Sequence, residues 1–441
     1  MRRFFILLLA LLMLCGCAGQ PGQTPPESQP APTETEAPPT DPPETAPPET
    51  IIPIVESGRA TITVGGDLMM HIPLINSGKS GGGYDFTDIF RYVKETVSGA
   101  DFAVANLETT LAGTGNGNKY SGFPRFNCPD ALADAAKDTG FDMLLTANNH
   151  CYDTGSYGFL RTQEVIRERE MMHLGTTENA DDPRYQIVDI NGIRFGMVCY
   201  TYGEIDGNGQ KSVNVLPVKK SLTEQVNVFD YEKTALFYEE IGGYITEMKE
   251  NGAEQIVVFI HWGNEYKLKQ NSYQTAIAQN LCDLGADVIV GGHPHVIQPM
   301  EMLTSRIDPG HETLCIYSLG NLLSNQRRDK MDLDTGHTED GMLFTCTFVK
   351  YSDGSVYLES AKVLPTWVSL TYGNKRIYRI LPLDKEIDDW AVAFDLSKEG
   401  LYLAKESYER TMDLLGDSLD AVTDHLEEAR KSREDTFVSF G

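Results

Sequence analysis

Seven side chains able to bind a metal or move a proton recur in the same setting along this 441-residue chain, each directly after a short apolar run. Gly65-Gly66-Asp67 follows the first run and Asn106-Leu107-Glu108 the second. Asn148-Asn149-His150 follows the third, with Asp153 and Gly155 beyond. His261-Trp262-Gly263 follows the fourth, with Glu265 and Tyr266, and Gly291-Gly292-His293-Pro294-His295 follows the fifth. Singly these groups say little, because a lone aspartate after a strand is usually a cap or turn residue and a lone glutamate a solvated acid. Together they place carboxylates, an amide and imidazoles on one rim, the donor set for one or two divalent ions. No cysteine belongs to it, so Mn, Fe, Zn or Mg suits it better than a soft ion. The glycines before His293 let the backbone turn sharply and bring both late imidazoles to one side. A metal there would lower the pKa of bound water toward ~7, which points to hydrolysis or group transfer near neutral pH.

The elements that must position these groups alternate. Strands are expected at Ala60–Val64, Asp101–Ala105, Phe141–Leu145, Gln255–Ile260 and Asp287–Val290, and helices at Phe86–Val97, Pro129–Asp138, Gly155–Glu170, Tyr231–Asn251 and Tyr273–Leu284. Such alternation predicts an α/β fold with a mostly parallel sheet, in which ligands sit at the carboxyl ends of the strands. Asn191-Gly192 marks a hairpin between Tyr185–Ile190 and Arg194–Tyr200. Thr313–Ser318, Met342–Tyr351 and Ser355–Val363 add further strands, the last two joined at Asp353-Gly354. Leu396–Arg433 reads as a helical appendage docked on the domain, with partner contact as the alternative. The six cysteines beyond the N-terminal region are scattered without a CxxC pair and read mostly as small core residues, leaving room for one disulfide.

The series GGDLMMH, ANLETTL, LLTANNHCYDTGSYGF, FIHWGNEY, GGHPHVIQPMEM and IYSLGNLL resembles, in order and over roughly residues 60 to 363, the poly-gamma-glutamate capsule biosynthesis family called CapA. That family is similar in turn to calcineurin-like metallophosphoesterases, so the resemblance implies a four-layer α-β-β-α metallophosphatase-like sandwich. It makes Asp67 the first carboxylate ligand, Glu108 the bridging one, Asn149 the amide ligand, His261 the lone histidine and His293 and His295 the final pair. His150 becomes the acid or transition-state stabiliser, and with Glu108 the candidate for catalysis. Trp262, Glu265 and Asn321 become substrate contacts, with Tyr266 and Gln298 as further rim residues. Two positions depart from the phosphoesterase pattern. Met69 stands where a histidine belongs, His71 being displaced by two, and Glu108 replaces an aspartate; the metal count stays at one or two. The implied function is synthesis, export or processing of poly-gamma-glutamate or a related anionic surface polymer by a metal-dependent hydrolase. The alternative is a non-catalytic polymer-binding subunit of an export complex whose partners are membrane subunits.

The rest of the chain says where this would happen. Arg2 and Arg3 precede an apolar run, Phe4–Leu14, shorter than the ~20 residues of a membrane span. Leu14-Cys15-Gly16-Cys17 then resembles a lipobox, which makes residues 1–17 a lipoprotein signal and Cys17 the lipid acceptor; an ordinary secretory signal is the alternative. Residues 18–56 are a linker, whose stretch Gln20–Thr50, rich in Pro, Thr and Glu, cannot bury a core. As a polyproline II spacer that stretch would approach about 100 Å, and as a plain disordered tail it would have no spacing role. The domain is then 57–384, the helical segment 385–441, and the location the extracytoplasmic face of the bacterial membrane. The formal charge of −27 opposes nucleic acid as a partner. Globomycin, applied to the native host, should block processing of the precursor. Normal processing in its presence would remove the lipid anchor.

Overall fold

The heptapeptide Gln255–His261 is buried at every position, as a strand covered on both faces must be. Several runs of this kind build the molecule. The computed structural model describes residues 53–439 apart from 332, 334 and 385–388, with side chains to residue 434. The signal segment, Cys17 and nearly all of the 18–56 linker lie outside the described residues. In chain order the strands of the two large sheets are β1 (Glu56–Leu68), β2 (Phe102–Leu107), β3 (Met143–Leu145), β4 (Met172–Leu174), β5 (Tyr185–Ile190), β6 (Ile193–Tyr202), β7 (Val228–Phe229), β8 (Gln255–His261), β9 (Val288–Gly292), β10 (Ile297–Thr304), β11 (Glu312–Leu319), β12 (Asn321–Leu323), β13 (Asp340–Tyr351), β14 (Val356–Tyr372) and β15 (Arg376–Pro382). The helices that matter here are α1 (Ile72–Ser77), α2 (Ala131–Thr139), α3 (Gly155–Glu168), α4 (Thr234–Glu250), α5 (Ser272–Asp283) and α6 (Lys398–Ser439).

The first sheet runs β15-β14-β13-β1-β2-β3-β4, with β12 also on β1; the second runs β7-β6-β8-β9-β11-β10, with β5 on β6. β1 to β4 are mutually parallel, as are β7, β6, β8, β9 and β11. The fold is therefore mixed α/β with antiparallel additions. Val64, Val104 and Leu145 of the first sheet share one apolar cluster with Phe195, Phe259, Val290 and Ile316 of the second. The other face of the first sheet packs under α1, α2 and α3 through Leu74, Leu132 and Ile166. That of the second packs under α4 and α5 through Ile241 and Ile277. Each such buried side chain contributes about 1.5–3 kcal/mol.

Local chemistry explains most boundaries. Asn191-Gly192 makes the expected hairpin, with φ of 52° and 82°. α5 opens on a capping box, Asn271 Oδ1 accepting from the Gln274 N–H while the Gln274 side chain accepts from Asn271. The helix expected at Phe86–Val97 is instead two short ones, Thr87–Phe90 and Lys94–Ser98. The apolar spacing holds, but Tyr92 leaves it to pack edge-on against Phe394, 4.9 Å between centroids. The strand expected to stop at Val363 runs on through Pro365 to Tyr372, and β10 and β15 were not anticipated. All six described cysteines are buried and unbonded, so the disulfide left open by the sequence does not form among them.

The C-terminal segment is more than a docked appendage. Leu415, Val422 and Leu426 of α6 enter the cluster between the sheets. Higher up, the buried Asp340 carboxylate accepts from Arg410 Nε (2.9 Å) and Nη2 (2.7 Å) and from Ser407 Oγ (2.6 Å). Removing one partner of a buried pair strands the other charge. Arg410→Ala should therefore lower stability by about 3 kcal/mol, read as a drop in the urea midpoint. An unchanged midpoint would mean that this contact does not hold α6.

Candidate metal centre

The carboxyl ends of β1, β2, β8 and β9 deliver the candidate ligands to one place. β1 shifts register at Gly65/Asp67 against β2, which leaves Asp67 opposite Asn106. A bulge of this kind re-aims a side chain next to a site. Asp67 is fully buried. Its Oδ1 accepts from Asn106 Nδ2 at 2.7 Å, and its Oδ2 accepts from the His293 N–H at 3.3 Å and faces His295 Nδ1 at 3.1 Å. With Nδ1–H on Asp67, His295 presents Nε2, 3.8 Å from Glu108 Oε1. His261 Nε2 lies 3.5 Å from the same oxygen and 2.9 Å from Asn149 Oδ1.

Three side-chain atoms at this hub have no hydrogen-bond partner among the described residues. Both Glu108 oxygens and His293 Nδ1 are buried without a hydrogen bond. Buried polar atoms are almost always paired, and one left unmade costs on the order of 1–3 kcal/mol. A cation fits that deficit. Glu108, His293 and His295 offer ligand atoms within 4.8 Å of one another, and so do Asp67, Glu108 and His261. Ligands at ~2.0–2.2 Å from one ion require a spacing close to this. The two trios share Glu108, and Asp67, whose oxygens already accept hydrogen bonds, is the less available carboxylate. The donor set is oxygen and imidazole, as for Mn, Fe, Zn or Mg.

Charge and burial compete here. Burial alone would raise Asp67, but the hydrogen bond and charge of His295, helped by His261, bring it below the usual carboxylate range. Burial opposes protonation of His295, yet Glu108 and Asp67 push it up to about 9. His293 is driven well below the usual imidazole value by burial and by His261 and His295. Burial also lowers His71 to about 4.

The loop carrying the late pair is strained and pinned. His293 and His295 both have positive φ, 95° and 56°, costly for residues with a side chain. The sharp turn is thus made by the histidines and not by the preceding glycines. Those glycines serve close approach: a Cβ on Gly291 would stand 2.1 Å from the Tyr317 carbonyl, and one on Gly292 3.0 Å from Asp67 Oδ1. Tyr266 N–H donates to the Pro294 carbonyl at 2.8 Å. Asn321 Nδ2 lies 3.2 Å from the His295 carbonyl and 3.0 Å from that of Thr338.

The remaining expected residues separate. Asn149 Oδ1 reaches His261 Nε2, whereas His150 Nδ1 lies 2.7 Å from Asp153 Oδ2. Glu265 is exposed. Trp262 is not a rim residue: it is fully buried in the outer cluster of the second sheet and donates through Nε1 to the Tyr317 carbonyl at 2.9 Å. Asn321 and Gln298 are likewise fully buried, Gln298 tying Gln274 to the Lys267 carbonyl. His71 belongs to neither trio; its ring lies edge-on to Phe126, which in turn lies edge-on to His150. Asn106, Asp153 and Asn214 had no assigned role. Asn106 and Asp153 stand in the quoted motifs and read as strand-end polar residues, whereas Asn214 lies far from every motif. Tyr202, at the end of β6, packs 4.7 Å from His293 and was hidden by its likeness to a core aromatic.

Comparison with known proteins places this site in context. A family profile described as bacterial capsule synthesis protein PGA_cap matches residues 61–326. The capsule biosynthesis protein CapA of Bacillus anthracis is 29% identical over 279 residues, covering 62% of this chain and 61% of that protein. The PGA biosynthesis protein CapA of Bacillus subtilis is 27% identical over 244 residues, covering 54% and 57%. The chain thus spans about three fifths of the length of these relatives.

Glu108→Gln tests the hub. The metal-free variant should melt higher than metal-free wild type, since a buried carboxylate with no hydrogen bond is gone. Wild type should gain about 2.7 kcal/mol from an ion at a hundredfold excess over its Kd, and the variant should lose most of that gain. Thermal melts with and without Mn2+, together with elemental analysis, read both effects. Equal melts and no bound metal in either protein would show that the hub holds no ion.

Proposed function

The chain belongs to the bacterial capsule synthesis PGA_cap family, within the metallophosphoesterase-like superfamily, and from that premise we propose that it is a metal-dependent hydrolase or transferase acting on poly-gamma-glutamate or a related anionic surface polymer. The observation that carries this reading is the buried Glu108 carboxylate, which stands among His261, His293 and His295 with no hydrogen bond to either oxygen. The two sheets and their outer helices are taken as the four-layer α-β-β-α sandwich of that superfamily. One ion or two would be held by Glu108 with His293 and His295, and by Asp67, Glu108 and His261.

When bound, the metal supplies Lewis acidity and a water of lowered pKa. The chain's own residues do the rest. Asp67 takes the Nδ1–H of His295 and so fixes the tautomer that turns Nε2 to the hub, the usual support of a metal-binding imidazole. Asn106 holds Asp67 through Oδ1. Asn149 and His261 converge from β3 and β8. Asp153, whose Oδ2 also accepts from the Phe126 N–H at 2.6 Å, holds His150 by Nδ1. His150 Nε2 has no partner among the described residues, and it is the atom that gives or takes a proton at the leaving or attacked group. Glu265, exposed beside Tyr266, orients substrate at the rim. The bond is a phosphoester or a gamma-glutamyl amide. Export, the lipid on Cys17 and a Pro-rich stalk would hold the domain at the outer membrane face, where a polymer and the membrane subunits of a capsule synthesis complex are its partners. With a metal between them, an acidic protein can meet an anionic ligand.

His150→Ala should reduce turnover about 10²–10⁴-fold with metal content retained. The assay uses gamma-glutamyl polymer and a generic phosphodiester. Metal-loaded wild type that binds polymer and turns over neither substrate would assign it to assembly instead.

A further inference from the structure

Among the described residues three two-residue turns with both residues left-handed join antiparallel strands, at Gly81–Gly82, Asn191–Gly192 and Asn214–Val215. At Asn191–Gly192 the residues are those that such a turn favours. At Asn214–Val215 they are not. φ is 47° and 57° there, and the turn joins strands Lys211–Val213 and Leu216–Pro217, with Val213 opposite Leu216. A left-handed β-branched residue is a conformational outlier that persists only where its surroundings or its task require it.

Core packing does not require it, because Val215 is 86% exposed. Its neighbours Val213 and Val218 are buried in a small cluster with Cys151, Tyr152 and Phe159. The hairpin is firmly rooted in the segment that follows His150. The Lys219 N–H donates to Tyr152 Oη at 3.0 Å, and the buried Lys211 Nζ donates to the Val226 carbonyl at 2.9 Å. At the tip, Asn214 Nδ2 stands 3.5 Å from His150 Nδ1 and 3.4 Å from Asp153 Oδ1. An apolar side chain is thus held in solvent, at a conformational cost, one residue from the group that touches the His150–Asp153 pair. At the root of the same hairpin, Lys219 and Lys220 are exposed and make no ion pair among the described residues, in a chain of charge −27.

We propose that the Asn214–Val215 turn contacts substrate: Val215 packs on the apolar stretch of an extended, negatively charged polymer strand beside His150, and Lys219 and Lys220 meet its charges. This rests on the reading of the cleft as a polymer-processing site. Apolar contact at one point and cations a few residues away would select a chain whose charges are spaced by methylenes over a compact anion.

The test uses the full chain, metal-loaded, with poly-gamma-glutamate as probe. Val215→Gly relieves the strain and removes the contact. It should raise the thermal midpoint by about 1–2 °C while weakening polymer binding about fivefold or more, with metal content unchanged. Val215→Leu should bind within about twofold of wild type, since it keeps the apolar surface. Lys219→Ala with Lys220→Ala should weaken binding at low salt and flatten its salt dependence. If wild type binds and Val215→Gly binds equally well, the turn does not contact polymer and the functional reading stands. If Val215→Leu loses as much as Val215→Gly, the apolar contact is refuted. If wild type binds no polymer, the polymer reading fails and takes this assignment with it.

Discussion

Glu108 keeps a carboxyl group out of water with neither oxygen hydrogen-bonded, and three imidazoles stand around it. A group buried in this way is tolerated only if a cation completes it or the neighbouring structure is stable enough to carry the deficit. The surroundings look arranged for the first. Asp67 is occupied by Asn106, His293 and His295 and fixes which nitrogen His295 turns inward. The left-handed His293 and His295 are clamped by bonds to the Pro294 and His295 carbonyls. The strain and the unbonded polar atoms occur together at this hub.

Around the hub the two sheets act as a rigid frame. Parallel strands from both bring their carboxyl ends together, so candidate ligands far apart in the chain, Glu108 just past a strand of one sheet and His261 at the end of a strand of the other, meet without a long loop. Asn321 extends the frame outward. It bonds the His295 carbonyl on one side and the Thr338 carbonyl on the other, two residues before the Asp340 that holds Arg410 of α6. Polar contacts and a short stretch of backbone thus connect the His293–His295 loop to the C-terminal helix.

Much of this was legible in the sequence, for identifiable reasons. Asp67, Glu108, Asn149, His261, His293 and His295 follow apolar runs that could only be strands, and strand ends converge in α/β sheets. Residue type alone misplaced Trp262 and Asn321. An aromatic or an amide beside a ligand reads equally well as a substrate contact or as support, and only burial separates the two. Asn214 was invisible because its contact with His150 spans 64 positions and no periodicity marks it. Helical spacing found Phe86–Val97 but missed its break, where Tyr92 packs on Phe394, some 300 residues away. β15 and the tail of β14 escaped notice because sheet pairing, not local pattern, sustains a strand through Pro365.

Leu415, Val422 and Leu426 of α6 finish the seam between the two sheets, while Arg410 of the same helix neutralises the buried Asp340. Detaching α6 would therefore open an apolar slot and strand a buried acid in a single event. The helix and the sheets then form one cooperative unit, which loses its order together and not in stages.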